Sequence, residues 1–425
     1  MSELKYIVCG KLYDGIHDEF YENMKLLVEG DRIAEISPVL ERPESAELID
    51  LSDATVTPGM IDAHNHMDYF DWHDIREEVY MLSEEAKTLA IARCAEKALR
   101  RGFTSVRHMG SIASHGYGIF DVRRAIDKGY VRGARIKAAC FSLCSPGSHG
   151  DQSQGLYTNP ELSAVVQRMK PVLGSGKDFF INAVREELKY GTDFIKIMAT
   201  GGFFTPNDTP LQKQLNDEEL RAIIDTAHEL GSTVTAHVYA PEMMQNMLNM
   251  GIDGMEHGSL MDDETAELYE KKGAYLVPTF CPYDEAVHYD PEKLKDKQPE
   301  FRAKLELYRH ALVAGREAIK RSNIKLGYGT DFVANHQNYD SGWEYAAWMK
   351  SGMGGFRALR AATKTNSEIL QISDKVGTLE KGKLADIAAW KRDLLSDPAA
   401  LLDCAFVMKE GKVYETEISE DIDQI

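Results

Sequence analysis

Residues 57–68 read TPGMIDAHNHMD, and the fold turns on how this stretch is understood. A Pro58-Gly59 turn opens onto an apolar run that ends in His64 and His66. Residues i and i+2 of a strand face the same side, so both imidazoles leave the strand's C-terminal end in one direction. Two such rings make two-thirds of a zinc site. Taken alone, a His-x-His is as readily an accident of spacing. Its place at the end of a strand, directly after a turn, argues for ligation.

Outward from this stretch, seven more strand-like runs alternate with helical ones: TSVRHMG (104–110), RIKAACFSLC (135–144), DFIKIMAT (193–200), STVTAHVY (232–239), GMEHGS (254–259), AYLVPTF (274–280) and KLGYGTDF (325–332). Such alternation is the signature of a parallel α/β fold. Eight strands suit a closed (β/α)8 TIM barrel better than an open sheet. The helical pattern is sharp over NDEELRAIIDTAHELG, where Leu220, Ile223, Ile224, Ala227 and Leu230 mark one face. Asn216 and Glu219 have capping-box spacing there, and Gly231 marks the stop.

A barrel takes roughly 250 residues, and the chain has 425. The first 57 residues and the last stretch, from residue 369 on, are strand-rich, with turns at Gly30-Asp31 and Glu410-Gly411. The expected organisation is a small β-sandwich domain made from 1–57 plus 369–425, with the barrel at 58–368. Segments 145–182, 281–308 and 332–352 follow strands three, seven and eight. They would lie at the barrel's C-terminal face, where active sites are built.

Lys196 is the second chemical signal. Ile195 and Ile197 would face the helices, which leaves Phe194, Lys196 and Met198 facing inward. An enclosed ammonium is unfavourable, so its pKa should fall. The neutral amine can then add CO₂ to form a carbamate, an anionic two-oxygen bridge for a metal pair. A strand lysine on its own is equally well a salt-bridge partner. His237, His257 and Asp331 end three more strand candidates. Singly they read as structural histidines and a capping aspartate. Together, four histidines, a lysine and an aspartate at five strand ends supply ligands for two cations and a carboxylate to move a proton.

Composition excludes other classes. Sixty-eight acids against forty-nine bases give a net charge of −19, which would repel a phosphate backbone, so no nucleic-acid partner is expected. No apolar run reaches the length of a membrane span, and no signal-peptide pattern opens the chain, so no membrane association is expected. Six scattered cysteines without a Cys-x-x-Cys pair fit buried free thiols and a cytoplasmic setting.

The motifs PGMIDAHNH, FIKIMATGG, the pair His237 and His257, and GTDF stand in an order that resembles the amidohydrolase superfamily in its binuclear, carboxylated-lysine form. The closing VGTLEKGKLADIAAW resembles that family's return into its β-sandwich. The resemblance implies that His64, His66 and Asp331 hold one metal, and His237 and His257 the other. It implies an N6-carboxylated Lys196 bridging two divalent cations, with zinc the expected pair. A bridging hydroxide would attack an amide carbonyl, and Asp331 would pass the proton to the leaving amine. Homo-oligomeric assembly follows the family habit.

Within the superfamily, IKIMATGG, SPGSHG (145–150), His237-Val238-Tyr239 and MEHGSLMDDE are similar to a prolidase-like dipeptidase branch. By that similarity His149 assists at the scissile carbonyl and Tyr239 helps hold the substrate carboxylate. Arg107 has two readings, a bidentate substrate contact or a partner for an acid of the barrel wall. The chain departs from the branch at Phe332, after the eighth-strand aspartate, and at His108.

The leading expectation is a dipeptidase or carboxypeptidase that releases a C-terminal amino acid from a dipeptide or N-acyl amino acid. The alternative is a hydrolase of a cyclic or xenobiotic amide or ester with the same centre. A deaminase or imidazolonepropionase-like reading fits less well, because Lys196 is present and Val238, Tyr239 and Ala240 follow His237 without a glutamate.

Overall fold

The computed structural model describes residues 3–68, 82–112, 116–151, 172–295, 297–331 and 342–417, together with 114, 153, 156, 159–169, 339 and 340. Residues 332–338, Phe332 among them, lie outside the described residues.

The chain opens with β1 (Leu4–Leu12), β2 (Tyr21–Glu22), β3 (Lys25–Glu29), β4 (Arg32–Ser37) and β5 (Glu47–Pro58). A parallel series follows: β6 (Met60–Asn65), β7 (Phe103–Met109), β8 (Arg135–Ala139), β9 (Ser142–Leu143), β10 (Ile195–Met198), β11 (Val234–Val238), β12 (Gly254–His257), β13 (Tyr275–Val277) and β14 (Lys325–Leu326). It ends with β15 (Ile387–Trp390), β16 (Cys404–Lys409) and β17 (Lys412–Tyr414).

The two chain ends share one mixed sheet. Its order is β17-β16-β15-β5-β1-β3-β4, with β2 on β1. β5 runs parallel to β1 and antiparallel to β15, which joins residues more than three hundred positions apart. Hydrogen bonding runs through this sheet without a break. An apolar cluster drawn from both ends, including Ile7, Leu26, Val56, Ile387 and Met408, fills one side of it.

The parallel strands form two ladders in chain order, β6-β7-β8 and β9 through β14. The third strand candidate is broken at Cys140-Phe141, so β8 pairs with β7 and β9 with β10. The freed backbone groups at the break are satisfied elsewhere. The Ser111 amide donates to the Cys140 carbonyl at 2.6 Å, and the Phe141 amide donates to the Glu187 carboxylate at 3.1 Å. The eighth candidate keeps only Lys325 and Leu326 as strand. Beyond them the Ala63 amide donates to the Tyr328 carbonyl (2.9 Å) and the Asp331 amide to the His64 carbonyl (2.8 Å). A Cβ on Gly329 would come within 2.5 Å of the His64 side chain, so glycine is what permits this close approach.

Side chains sort by the two-residue period of strands. Ile195, Ile197, Val234, Ala236, Val238, Met255 and Leu276 pack outward against helices. The helix Asp217–Glu229 contributes Leu220, Ile223, Ile224 and Ala227 to that core. Its capping box is formed, with the Glu219 amide on Asn216 (3.0 Å) and the Asn216 amide on Glu219 (2.9 Å). Leu230 departs from the expected face: it is the C-cap and 53% exposed. All six cysteines are buried free thiols. No helix among the described residues is long and apolar enough to cross a membrane.

Asn366, just after a π-helical turn (Ala361–Thr365), links the first strand to the last. Its amide nitrogen donates to the Ile61 carbonyl (2.6 Å) and the Tyr328 carbonyl (2.8 Å), and its oxygen accepts from the Tyr328 amide (3.2 Å). Replacing it with Ala strands two buried backbone groups, the Ile61 carbonyl and the Tyr328 amide, each worth about 1–3 kcal/mol when left unpaired, while the Tyr328 carbonyl keeps the Ala63 amide. Asn366→Ala is therefore expected to lower stability by at least about 2 kcal/mol, read as a lower denaturant midpoint.

Candidate metal and catalytic centre

Each ring nitrogen of the first-strand histidines has a defined task. His66 Nδ1 lies 2.8 Å from the Gly110 carbonyl, which only accepts, so the proton sits on Nδ1 and Nε2 keeps its lone pair. His64 Nδ1 lies 2.8 Å from Glu256 Oε2, and its Nε2 lies 3.1 Å from Asp331 Oδ1. His66 Nε2 is 3.7 Å from the same oxygen. The ligand atoms of His64, His66 and Asp331 all fall within 4.8 Å of one another.

The other candidates close around this trio. The ring centroids of His64 and His257 are 5.1 Å apart, and those of His257 and His237 are 4.6 Å apart. His257 Nδ1 is held by Thr279 Oγ1 at 2.7 Å. His257 and Asp331 both have left-handed backbones, with φ of 67° and 50°, and so does Thr279 at 43°. Non-glycine residues in that region carry about 1 kcal/mol of strain or more and cluster at functional sites. Here the turn brings His257 inward, against the period that would leave it on the same face as Met255.

Lys196 is 1% exposed. Its Nζ and the Nε2 of His237 are buried without a hydrogen-bond partner among the described residues. Unpartnered buried polar atoms are disfavoured in a folded protein. Two of them beside three preset donors match what a pair of cations requires.

Electrostatics agree. Burial, aided by the Arg107 charge, outweighs the pull of Glu256 and Asp331 and pushes the Lys196 amine down to about 8. Burial lowers His66 to about 3 and holds His237 and His257 well below their ordinary value, so these imidazoles are neutral. Burial would raise Asp331, but the charge of His64 overrides it and keeps the carboxylate ionised. His64 is the exception. Burial is outweighed by Asp331 on one edge and Glu256 on the other, so its pKa is raised. A cation bound at Nε2 would take the place of that proton.

Glu256 is the residue that sequence reasoning missed. It is fully buried, and burial would raise its pKa, yet Arg107 and His64 hold it down to about 2. Its oxygens accept from His64, from Arg107 (2.6 Å) and from Thr235 (2.6 Å). The available signal was an acid between Met255 and His257, at the inward position of a strand. Arg107 lies in the barrel wall, as its second reading has it. Its Nε, Nη1 and Nη2 donate to the Ala63 carbonyl (2.6 Å), the Tyr275 hydroxyl (2.9 Å) and Glu256. His108 is also structural, since its Nδ1 accepts from the Met67 amide at 3.2 Å and burial lowers it to about 3.

His149 and Tyr239 both reach the centre. The His149 ring stacks on His237 at 4.4 Å and 19°. Tyr239 stacks on His257 at 5.2 Å and 17°, and its hydroxyl pairs with that of Tyr283.

The sequence profile of the Amidohydrolase family matches residues 55–417, nearly the whole chain. The chain belongs to the amidohydrolase family. It is therefore a hydrolase of C–N bonds, and its relatives lie near the prolidase-like branch. Ochratoxinase of Aspergillus niger is 25% identical over 378 residues, covering 84% of this chain and 75% of that protein. Among solved structures, a Xaa-Pro dipeptidase with methionine bound in its active site superposes with a TM-score of 0.84 at 29% identity, covering 97% of this chain and 100% of that one. A prolidase in complex with N-methylphosphonate-L-proline gives a TM-score of 0.84 at 26% identity with the same coverage.

Two tests follow for this amidohydrolase. Glu256→Gln is expected to weaken divalent-metal affinity by about 10–100-fold, as loss of a carboxylate that orients a ligating histidine does; metal retained after dialysis against a chelator measures it. In metal-free protein at pH 7, keeping the Lys196 pKa near 8 instead of 10.5 costs about 3 kcal/mol. The unfolded amine holds its proton up to pH 10.5 and the folded one only to about 8. Stability thus rises as pH climbs through that window. Metal-free Lys196→Met is expected to unfold at a higher temperature than wild type at pH 7, and the gap should shrink toward pH 10. A melting series across pH checks both halves.

Proposed function

We propose that this amidohydrolase is a two-metal dipeptidase or carboxypeptidase that releases a C-terminal amino acid from a dipeptide or N-acyl amino acid. The single observation carrying the reading is the pair of unpartnered buried nitrogens, Lys196 Nζ and His237 Nε2, facing the cluster of His64, His66 and Asp331. In this reading His64, His66 and Asp331 would hold one divalent cation, and His237 and His257 the other. An N6-carboxylated Lys196 would bridge them, with zinc the expected metal. When bound, such cations would polarise an amide carbonyl and acidify a water.

The protein's own groups would do the rest. Asp331, kept ionised, takes the proton and hands it to the leaving amine. His149 meets the scissile carbonyl from above the His237 ring. The two phenols of Tyr239 and Tyr283 share one hydrogen bond, which leaves one O–H to give to a substrate carboxylate. The frame for this is a closed (β/α)8 barrel at 58–368, with a β-sandwich from 1–57 plus 369–425. Support for closure comes from the backbone bonds of Ala63 with Tyr328 and of Asp331 with His64. Support for the sandwich comes from the apolar cluster drawn from both chain ends. A cytoplasmic, self-associating enzyme acting on small molecules, without nucleic acid or membrane, completes the reading.

A second reading, a cyclic or xenobiotic amide or ester as substrate, is favoured by the likeness to ochratoxinase over most of the chain.

Purified protein is expected to carry close to two divalent metals per chain. A panel of dipeptides and N-acyl amino acids, scored for free amino acid released, should contain substrates. No turnover on any member removes the peptidase reading and leaves the second one standing.

A further inference from the structure

We propose that Asp208, Lys304 and Gly202 form a positioning device that seats the His149 imidazole on the face of His237 with a single ring nitrogen, Nε2, left to meet substrate. This inference rests on the reading of His149 as a substrate-facing group.

The orientation follows from counting protons. The Thr205 hydroxyl donates its only hydrogen to Asp208 Oδ1. It can then only accept from His149 Nδ1, which lies 2.9 Å away. Nδ1 is therefore the donor, and it is spent inside the protein. Asp208 Oδ2 lies 3.7 Å from the same nitrogen. Gln214 secures the backbone of the same residue: its Oε1 accepts from the His149 amide (2.9 Å), and its Nε2 donates to Asp208 Oδ2 (3.1 Å).

Asp208 is itself held from a different part of the chain. Its side chain is wholly enclosed, and Lys304, on the helix Pro299–Arg321, donates to its Oδ1 at 3.1 Å. The same ammonium donates to the Gly202 carbonyl (2.7 Å) and the Thr205 carbonyl. The helix after the seventh strand is thereby tied to the loop after the fourth, and through it to the loop after the third. The pairing of a buried carboxylate with one ammonium keeps the loop in one arrangement, since freeing either charge leaves the other uncompensated.

Gly202 makes the room. A Cβ there would lie 2.2–2.8 Å from Cε1, Nδ1 and Nε2 of His149. The obstructed atoms are the far end of a side chain, so an added methyl group moves the ring and leaves the fold alone. The second glycine of the ATGG motif is thus a seat for an imidazole contributed by another loop.

The test compares Gly202→Ala, His149→Ala and the double variant, with Asp208→Asn as a fourth protein, all loaded with zinc. Crystal structures of Gly202→Ala and Asp208→Asn are expected to show the ring displaced from His237, with metal content and melting temperature near wild type for Gly202→Ala. On the best substrate of the panel, kcat should fall by about a hundredfold in Gly202→Ala with KM little changed. The double variant should be no slower than His149→Ala alone. A ring still stacked on His237 in Gly202→Ala, or losses that multiply in the double variant, overturns the proposal. If wild type turns over no panel member, the peptidase reading fails, and the ring's position in the two crystal structures still decides this inference.

Discussion

Arg107, Lys196 and His64 put three basic side chains into an interior without solvent, and Glu256 is the carboxylate that faces all of them. A lone charge in such a place is strongly disfavoured, so each group must be neutralised, paired or shifted in pKa. Glu256 pairs with Arg107 and with His64 outright and only partly offsets the burial of Lys196. That leaves the lysine as the group whose pKa falls, to about 8. The basic nitrogen at the centre and the salt-bridged guanidinium behind it therefore follow from one carboxylate at one inward strand position.

The rest of the centre is arranged by what each strand does at its end. The end of β6 delivers His64 and, one residue past the strand, His66 to one side, just where its register against β7 shifts between Asp62 and Asn65. β12 and the turn after β14 deliver His257 and Asp331 only by leaving the extended conformation for a left-handed one. Strand ends thus hold the candidate ligands, while the loops beyond them hold His149 and Tyr283. The placing of those side chains is fixed by the sheet, and what lies above it is set by loop segments, the parts of such a fold that vary most freely.

This division also explains what could be read from residues alone. His64, His66 and Lys196 were legible because a period of two assigns their faces without knowledge of their neighbours. The helix at Asp217–Glu229 was legible because caps and apolar spacing are local. Glu256 was not, since its meaning lies in partners 149 and 192 positions away. Arg107 presented two consistent roles, and only the position of that acid separates them. The eighth strand read longer than it is because Gly329 lets the backbone hug β6 without regular pairing. The sheet shared by the two ends was recognisable as β-rich, but its continuous order depends on pairings that no local pattern encodes.

One feature of that sheet bears on how the chain is made. β5 is complete by residue 58, yet its antiparallel neighbour begins at Ile387. At the usual pace of synthesis the gap lasts on the order of tens of seconds. Throughout that time one side of β5 presents unsatisfied amides and carbonyls, a template for pairing with a foreign chain. The nascent protein must keep this edge shielded on the ribosome until its own last strands emerge to cover it.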